Sequence, residues 1–322
     1  MKAMIIGSGA IGQRHARNLA AIDQDVDFIY LRRSSDHPTD LPRGEVVTSL
    51  EAALESGVTF AVLATPTALH ADMLEPLIAS GIPTYVEKPV VATRKQHSAI
   101  SEALLTGPAA AHVAGFNFRL LRSLKTAKDL IARGRLGLVA RATFSAGQWL
   151  PDWRPSQDYR QSYSARTSSG GGVILDLCHE IDLARWLLGE LEIKACETTR
   201  NDKLGIDAAA CAQIIGKTEA GALVSIGLDY VARQKVRHYE FVGDEATLVW
   251  DLPTQEMKLI SKDSVEIVTS APADFDVSST YVDAMRVFAR QAQNALGQHD
   301  LQSLDDGLIS TQLAITACEL GS

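Results

Sequence analysis

The chain has 322 residues, 46 % of them apolar and 22 % charged, which excludes a disordered or collagen-like polymer and exceeds what one hydrophobic core usually organises. Its 31 basic and 39 acidic side chains leave a net charge of −8, which argues against a general nucleic-acid binder, and no apolar run approaches the ~20 residues of a membrane-spanning helix. The first strand reaches Gly7 too early for a signal peptide, and Cys178, Cys196, Cys211 and Cys318 lack CxxC spacing, so free thiols in a reducing cytoplasm are expected.

Apolar runs and helical spacings alternate over the first 118 residues. Strands are predicted at 3–6, 26–31, 59–64, 84–86 and 111–118, with helices at 11–22, 50–54, 69–79 and 95–105. Strands separated by helix-length segments imply a doubly wound parallel sheet, so residues 1–118 are expected to form a Rossmann domain. After a helix at 124–133 the rhythm changes. Strands at 138–146, 209–215, 222–231, 239–242, 247–250 and 257–260 follow with short connections, interrupted by a helix at 176–188 and closed by helices at 280–296 and 308–320. Residues 119–322 therefore read as an α+β domain with a large, mainly antiparallel open sheet. Val224, Ile226 and Leu228 point to one face of it, and Leu223, Ser225 and Gly227 to the other, which is less polar than a solvated face and predicts a partner subunit.

Gly7-Ser8-Gly9-Ala10-Ile11-Gly12 is a GxGxxG turn between a strand and a helix. Its glycines suit a tight turn, close approach of a pyrophosphate and close helix–strand packing. At the end of the second strand, where NAD-selective sites carry a carboxylate, stand Arg32-Arg33-Ser34-Ser35, which suit a 2′-phosphate, so NADP is expected with NAD as the alternative. Lys88 follows the strand at 84–86, at the carboxyl end where ligands bind in this architecture, and it also fits an exposed lysine paired with Glu87. A histidine side chain ordinarily titrates near neutrality, and His179 follows a triple glycine into a helix, which suits a proton-transfer group. Asp176, three residues before it, shares its predicted helix face and equally fits a residue serving the helix N-terminus. No His/Cys cluster has metal-ligand spacing, and there is no GxSxG elbow.

Taken together, Gly7–Gly12 with Gln13-Arg14-His15, Ala64-Thr65-Pro66 with His70, Glu87-Lys88-Pro89, Gly115–Arg119, Gly134–Gly137 and Gly170–Asp182 resemble the glucose–fructose oxidoreductase, inositol dehydrogenase and rhizopine-catabolism family (Gfo/Idh/MocA). The resemblance implies NAD(P)-linked hydride transfer at a carbinol or carbonyl carbon of a sugar, and homodimers or homotetramers built through the second sheet. It places Lys88 beside the reacting oxygen, His179 as acid–base, and Asp176 near it, although the family spacing to the histidine is four residues rather than three. It adds Ala10, Ile11, Thr65, Pro66, His70 and Glu87 to the cofactor site, and Asn117, Arg119 and Asp182 to the substrate site. A redox-assisted NAD-dependent glycosidase and a non-catalytic nucleotide-binding regulator share the resemblance. The loop at 148–166 gathers Trp153, Arg154, Arg160 and Arg166 ahead of His179, and its aromatic faces and guanidinium forks suit an anionic or amino sugar.

Overall fold

The computed structural model describes residues 1–34, 36, 41–153, 155, 157–293 and 301–321. They divide into two units: Met1–Asn117 with Ser278–Thr311, and Phe118–Val277 with Gln312–Ser322. The first unit thus takes in 278–311 as well as the residues before 118.

Its elements are β1 (Lys2–Ile6), α1 (Ala10–Ile22), β2 (Asp27–Leu31), β3 (Gly44–Val47), α2 (Leu50–Glu55), β4 (Phe60–Leu63), α3 (His70–Ala79), β5 (Thr84–Val86), α4 (Arg94–Thr106) and β6 (His112–Ala114). The six strands form one parallel sheet in the order β3-β2-β1-β4-β5-β6. The central strands are continuous apolar runs because both faces are covered, and Ala3–Ile6 and Phe60–Leu63 are all buried. Strand order reverses between β1 and β4, and the carboxyl ends at that reversal are where an open α/β sheet binds ligands.

The second unit continues with α5 (Arg122–Ala132), β7 (Val139–Gly147), α6 (Val173–Asp176), α7 (His179–Leu188), β8 (Leu191–Thr199), β9 (Cys211–Thr218), β10 (Leu223–Asp229), β11 (Val236–Gly243), β12 (Ala246–Asp251), β13 (Glu256–Ser261) and β14 (Val265–Thr269). These eight strands run β14-β13-β12-β11-β7-β10-β9-β8, antiparallel except for the β7–β10 pair. The covered face packs on α7, where Val224, Ile226 and Leu228 are buried with Phe144, Tyr239 and Phe241. Trp250 stacks on Tyr239 at 4.6 Å and donates from Nε1 to Ser123 Oγ at 2.9 Å. The opposite face exposes Leu223 in register between Arg141 and Lys217, with Ile215, Ile260 and Ile267 also exposed.

The chain ends in α8 (Val277–Gln293) and α9 (Leu304–Leu320). Phe288 of α8 packs on Phe60 and Tyr85, with ring centroids at 5.4 and 5.7 Å. No described helix is long and apolar enough to cross a membrane.

Several elements differ from the sequence expectation. β3, β8 and β14 were not foreseen, and all three are sheet edges, where one flank lacks a neighbour and the burial pattern is weak. The strand expected at 111–118 stops at Ala114, and a 3₁₀ turn takes over at Asn117–Leu120. The last helix begins at Leu304 rather than 308, because Ser303 Oγ accepts from the Asp306 amide as a cap. The helix expected at 176–188 is two helices, α6 and α7, broken at Leu177-Cys178.

Candidate functional site

At the carboxyl end of β1 the chain turns at Gly7, whose φ of 97° lies in the left-handed region, and a Cβ there would stand 2.6 Å from the Ala64 carbonyl oxygen. A Cβ on Gly12 would strike the Gly7 carbonyl, so α1 packs directly on the turn. Gly9 has no neighbour within 4 Å of an added Cβ, so the approach to the N-terminus of α1 is open. Gly9 caps α1 without a side chain and the first turn carries no acid, so Ala10 and Ile11 present the helix N-terminal amides and its partial positive charge outward. These residues fit a dinucleotide pyrophosphate.

After β2, half-buried Arg32 donates to the Asp36 carbonyl, while Arg33 and Ser34 are exposed. The Ser34 hydroxyl donates to Asp36 Oδ2 at 2.8 Å, so this turn also holds a carboxylate that the sequence reading passed over. Ser35 lies outside the described residues.

After β4 come Thr65 and Pro66, and His70 opens α3. His70 is buried and places Nε2 2.9 Å from the Thr65 carbonyl and Nδ1 3.0 Å from the Val90 carbonyl, so it ties together the loops that follow β4 and β5. Burial lowers its basicity, against the opposing pull of those carbonyls. Thr65 Oγ1 is a buried hydroxyl without a protein partner, the kind of atom a bound nucleotide satisfies.

After β5, the Glu87 carboxylate meets buried His15 Nε2 at 2.6 Å and accepts from the Lys88 amide at 3.3 Å. Glu87 is thereby engaged by His15, which fixes the backbone that presents Lys88, half-buried before a cis Pro89. Asn117 donates to Thr280 Oγ1 at 2.6 Å, tying α8 to the first unit.

In the second unit, Asp176 ends α6 and is buried, accepting from the Tyr163 hydroxyl and, at 3.0 Å, from the Tyr230 hydroxyl. Burial and the Asp176 charge push the Tyr230 phenol well above its usual range, so it stays a donor. Trp153 packs edge-on against Tyr230 at 5.4 Å. His179 opens α7, 5 % exposed, its imidazole stacked on Phe118 at 4.4 Å and 7°. Asp182, one turn on, takes a two-pronged contact from Arg119, Nε at 2.9 Å and Nη2 at 2.6 Å. Arg119 and Asp182 are brought to each other. Arg160 and Arg166 are exposed, and Arg160 lies 3.7 Å from Asp158; Arg154 lies outside the described residues.

Sequence reasoning missed Tyr163 and Tyr230 as partners of Asp176, Phe118 as the ring stacked on His179, and Arg237 as the cation over Phe118. Tyr230 and Arg237 each carried a signal: a polar or charged residue at the parity of a strand whose neighbours face the core. Among the described residues no group of three or more His, Cys, Asp or Glu side chains is placed to hold a metal ion.

This parallel sheet with its glycine turn at the strand reversal defines a dinucleotide-binding Rossmann unit, joined to an α+β unit with a wide open sheet. Residues 1–113 match the family described as oxidoreductase, NAD-binding Rossmann fold, and residues 124–249 match the GFO/IDH/MocA C-terminal domain; together they cover about three quarters of the chain. The chain belongs to the GFO/IDH/MocA oxidoreductase family. It is 25 % identical to inositol 2-dehydrogenase of Rhizobium meliloti over 201 residues, 60 % of this chain and 57 % of that protein. It is 31 % identical to levoglucosan dehydrogenase of Pseudarthrobacter phenanthrenivorans over 130 residues, 40 % of this chain and 32 % of that one. The chain spans between about a third and three fifths of the length of the first three curated relatives it matches. Its fold is that of levoglucosan dehydrogenase in complex with NADH and L-sorbose, with a TM-score of 0.81 at 18 % identity over 100 % of this chain and 96 % of that one.

Proposed function

We propose that the protein is an NAD(P)-dependent oxidoreductase that moves a hydride between nicotinamide and a carbinol or carbonyl carbon of a sugar or cyclitol. The observation that carries this reading is the Gly7–Gly12 cradle, in which one glycine meets a backbone conformation, one leaves the approach open and one admits the helix. When bound, the nicotinamide supplies the hydride acceptor or donor. Lys88 stabilises negative charge on the reacting oxygen, and His179 takes or returns the hydroxyl proton. Asp176, held by two phenols, accepts a hydrogen bond from a substrate hydroxyl or from His179. Thr65, Pro66, His70 and Glu87 shape the cofactor loops. Relatives named for inositol and levoglucosan support a ring polyol as substrate class.

The finer reading is NADP, held by Arg32, Arg33 and Ser34, and an anionic sugar met by Trp153 and the guanidiniums of Arg154, Arg160 and Arg166, with Asn117, Arg119 and Asp182 nearer the ring. Asp36 on the same turn as Ser34 favours the second reading, NAD, because a carboxylate there repels a 2′-phosphate and suits a ribose hydroxyl. A cytoplasmic homodimer or homotetramer joined through the open face of the second sheet completes the proposal.

The test is a screen of inositols, anhydrosugars, sugar acids and sugar phosphates with both nucleotides, followed by absorbance of the reduced nicotinamide. Lys88→Ala and His179→Asn are each expected to lower kcat by roughly 10²–10⁴-fold with nucleotide affinity retained. Arg32→Ala with Arg33→Ala is expected to weaken NADP alone, by about ten- to a hundredfold. Near-wild-type kcat in both Lys88→Ala and His179→Asn refutes the reading, and product formation without net nicotinamide turnover moves it to the glycosidase class.

A further inference from the structure

We propose that Phe118 is the residue that orients His179, and that Arg237 and Glu180 lock Phe118 in place; the proposal rests on the reading of His179 as the proton-transfer group. His179 is the first residue of α7. Side chains on a helix lean toward its N-terminus, so the imidazole projects off the helix end, where no preceding turn of α7 supports it. Its ring plane must be fixed by tertiary contact, and the Phe118 ring provides one at 4.4 Å and 7°.

Phe118 is itself held. The Arg237 guanidinium lies 4.5 Å from the Phe118 centroid. Arg237 Nε stands 2.8 Å from Glu180 Oε1, and the same carboxylate accepts from Tyr239 at 2.8 Å. Glu180 follows His179 in the chain, so the contacts run from His179 to Phe118, from Phe118 to Arg237 and from Arg237 to Glu180, and end on the residue covalently joined to His179. Every member is mostly buried, with the Arg237 side chain 12 % and the Glu180 side chain 0 % exposed.

Core packing alone needs apolar volume, and a buried ion pair is a costly way to supply it. A chain of planar and charged contacts that backs the face of one imidazole and is anchored at the next residue of its helix is what orientation requires, because each member fixes the next. Stacking engages the face of the imidazole and directs its nitrogens along the ring edge, where a hydroxyl is met.

Phe118→Leu keeps the bulk and removes the flat face, while Phe118→Tyr keeps the face. In the full chain with saturating nucleotide, Phe118→Leu is expected to lower kcat about tenfold or more, with KM and nucleotide affinity within twofold, and Phe118→Tyr to restore kcat. Added to His179→Asn, Phe118→Leu should cost nothing further, since it acts through that ring. Arg237→Lys retains the charge facing Glu180, loses the planar guanidinium, and should lower kcat in the same direction, which keeps the test alive if Phe118→Leu does not fold.

A second readout is independent of turnover. In protein labelled at its eight histidines, the resonance that His179→Asn abolishes is the His179 ring. It should carry an upfield ring-current shift that Phe118→Leu removes and Phe118→Tyr keeps. Unchanged kcat and unchanged ring shift in Phe118→Leu, or a full extra loss on top of His179→Asn, overturns the proposal. If His179→Asn itself retains turnover, the parent reading fails, and the mobility of the His179 ring in Phe118→Leu, read from its NMR relaxation, decides whether Phe118 orients it: an unchanged mobility overturns the proposal.

Discussion

Arg119→Ala tests whether the Arg119–Asp182 pair is architecture or substrate contact. The Asp182 side chain is 1 % exposed and that of Arg119 13 %, and the guanidinium meets both carboxylate oxygens. Removing the guanidinium strands a buried carboxylate, which costs about 3–5 kcal/mol. At roughly 2–4 °C per kcal/mol for a unit of this size, the midpoint should fall by about 10 °C. All four tryptophans, Trp149, Trp153, Trp186 and Trp250, belong to the second unit, so indole fluorescence during urea or thermal unfolding reports that unit. Arg119→Met combined with Asp182→Leu removes both charges and should recover most of the loss, because well-packed apolar pairs replace buried ion pairs at little cost. An Arg119→Ala protein with wild-type unfolding would refute the reasoning, and a raised KM beside a lowered midpoint would show that Arg119 meets the substrate as well.

Gly7→Ala should abolish nucleotide binding in a fluorescence titration, since its Cβ meets the Ala64 carbonyl at 2.6 Å on a left-handed backbone; retained affinity would contradict the cradle. Leu223→Arg sets a third cation in register with Arg141 and Lys217 on the exposed sheet face and should yield monomers in sedimentation velocity, whereas an unchanged oligomer would move the interface elsewhere. Burial pushes the His112 imidazole down to about 4 from 6.5. The unfolded chain therefore binds the extra proton first as pH falls, and stability should drop between about pH 6.5 and 4 by about 3 kcal/mol, a dependence that His112→Leu should flatten in urea titrations.

The interior of each sheet was legible because burial writes itself into sequence. Ala3–Ile6 and Phe60–Leu63 are unbroken apolar runs since both faces are covered, and β10 alternates since one face is. The edges were not legible. β3 contributes only Val46 and Val47 as strand formers, and β8 mixes helix-favouring Glu192, Lys194 and Ala195 into its alternation. The glycine turn was legible from its spacing, because Gly7 takes a left-handed backbone and Gly12 lies against the Gly7 carbonyl within the same turn. Arg237 escaped notice because its partners, Glu180 and Phe118, are distant in the chain, and no spacing rule links them.

The expected relation of Asp176 to His179 depends on the backbone between them. On one continuous helix a separation of three residues shares a face, and the aspartate would serve the histidine. The chain instead breaks at Leu177-Cys178, with Asp176 closing α6 and His179 opening α7, so the helical offset no longer relates them. Each side chain also has partners elsewhere in the second unit. Asp176 turns to the Tyr163 and Tyr230 hydroxyls, and His179 to the Phe118 ring. The Asp176 carboxylate is fixed in place by two phenols, and the His179 imidazole is engaged on its face by the Phe118 ring. The break separates the two groups along the chain, and it also lets the fold position them independently, which a single helix with fixed rotation per residue does not allow.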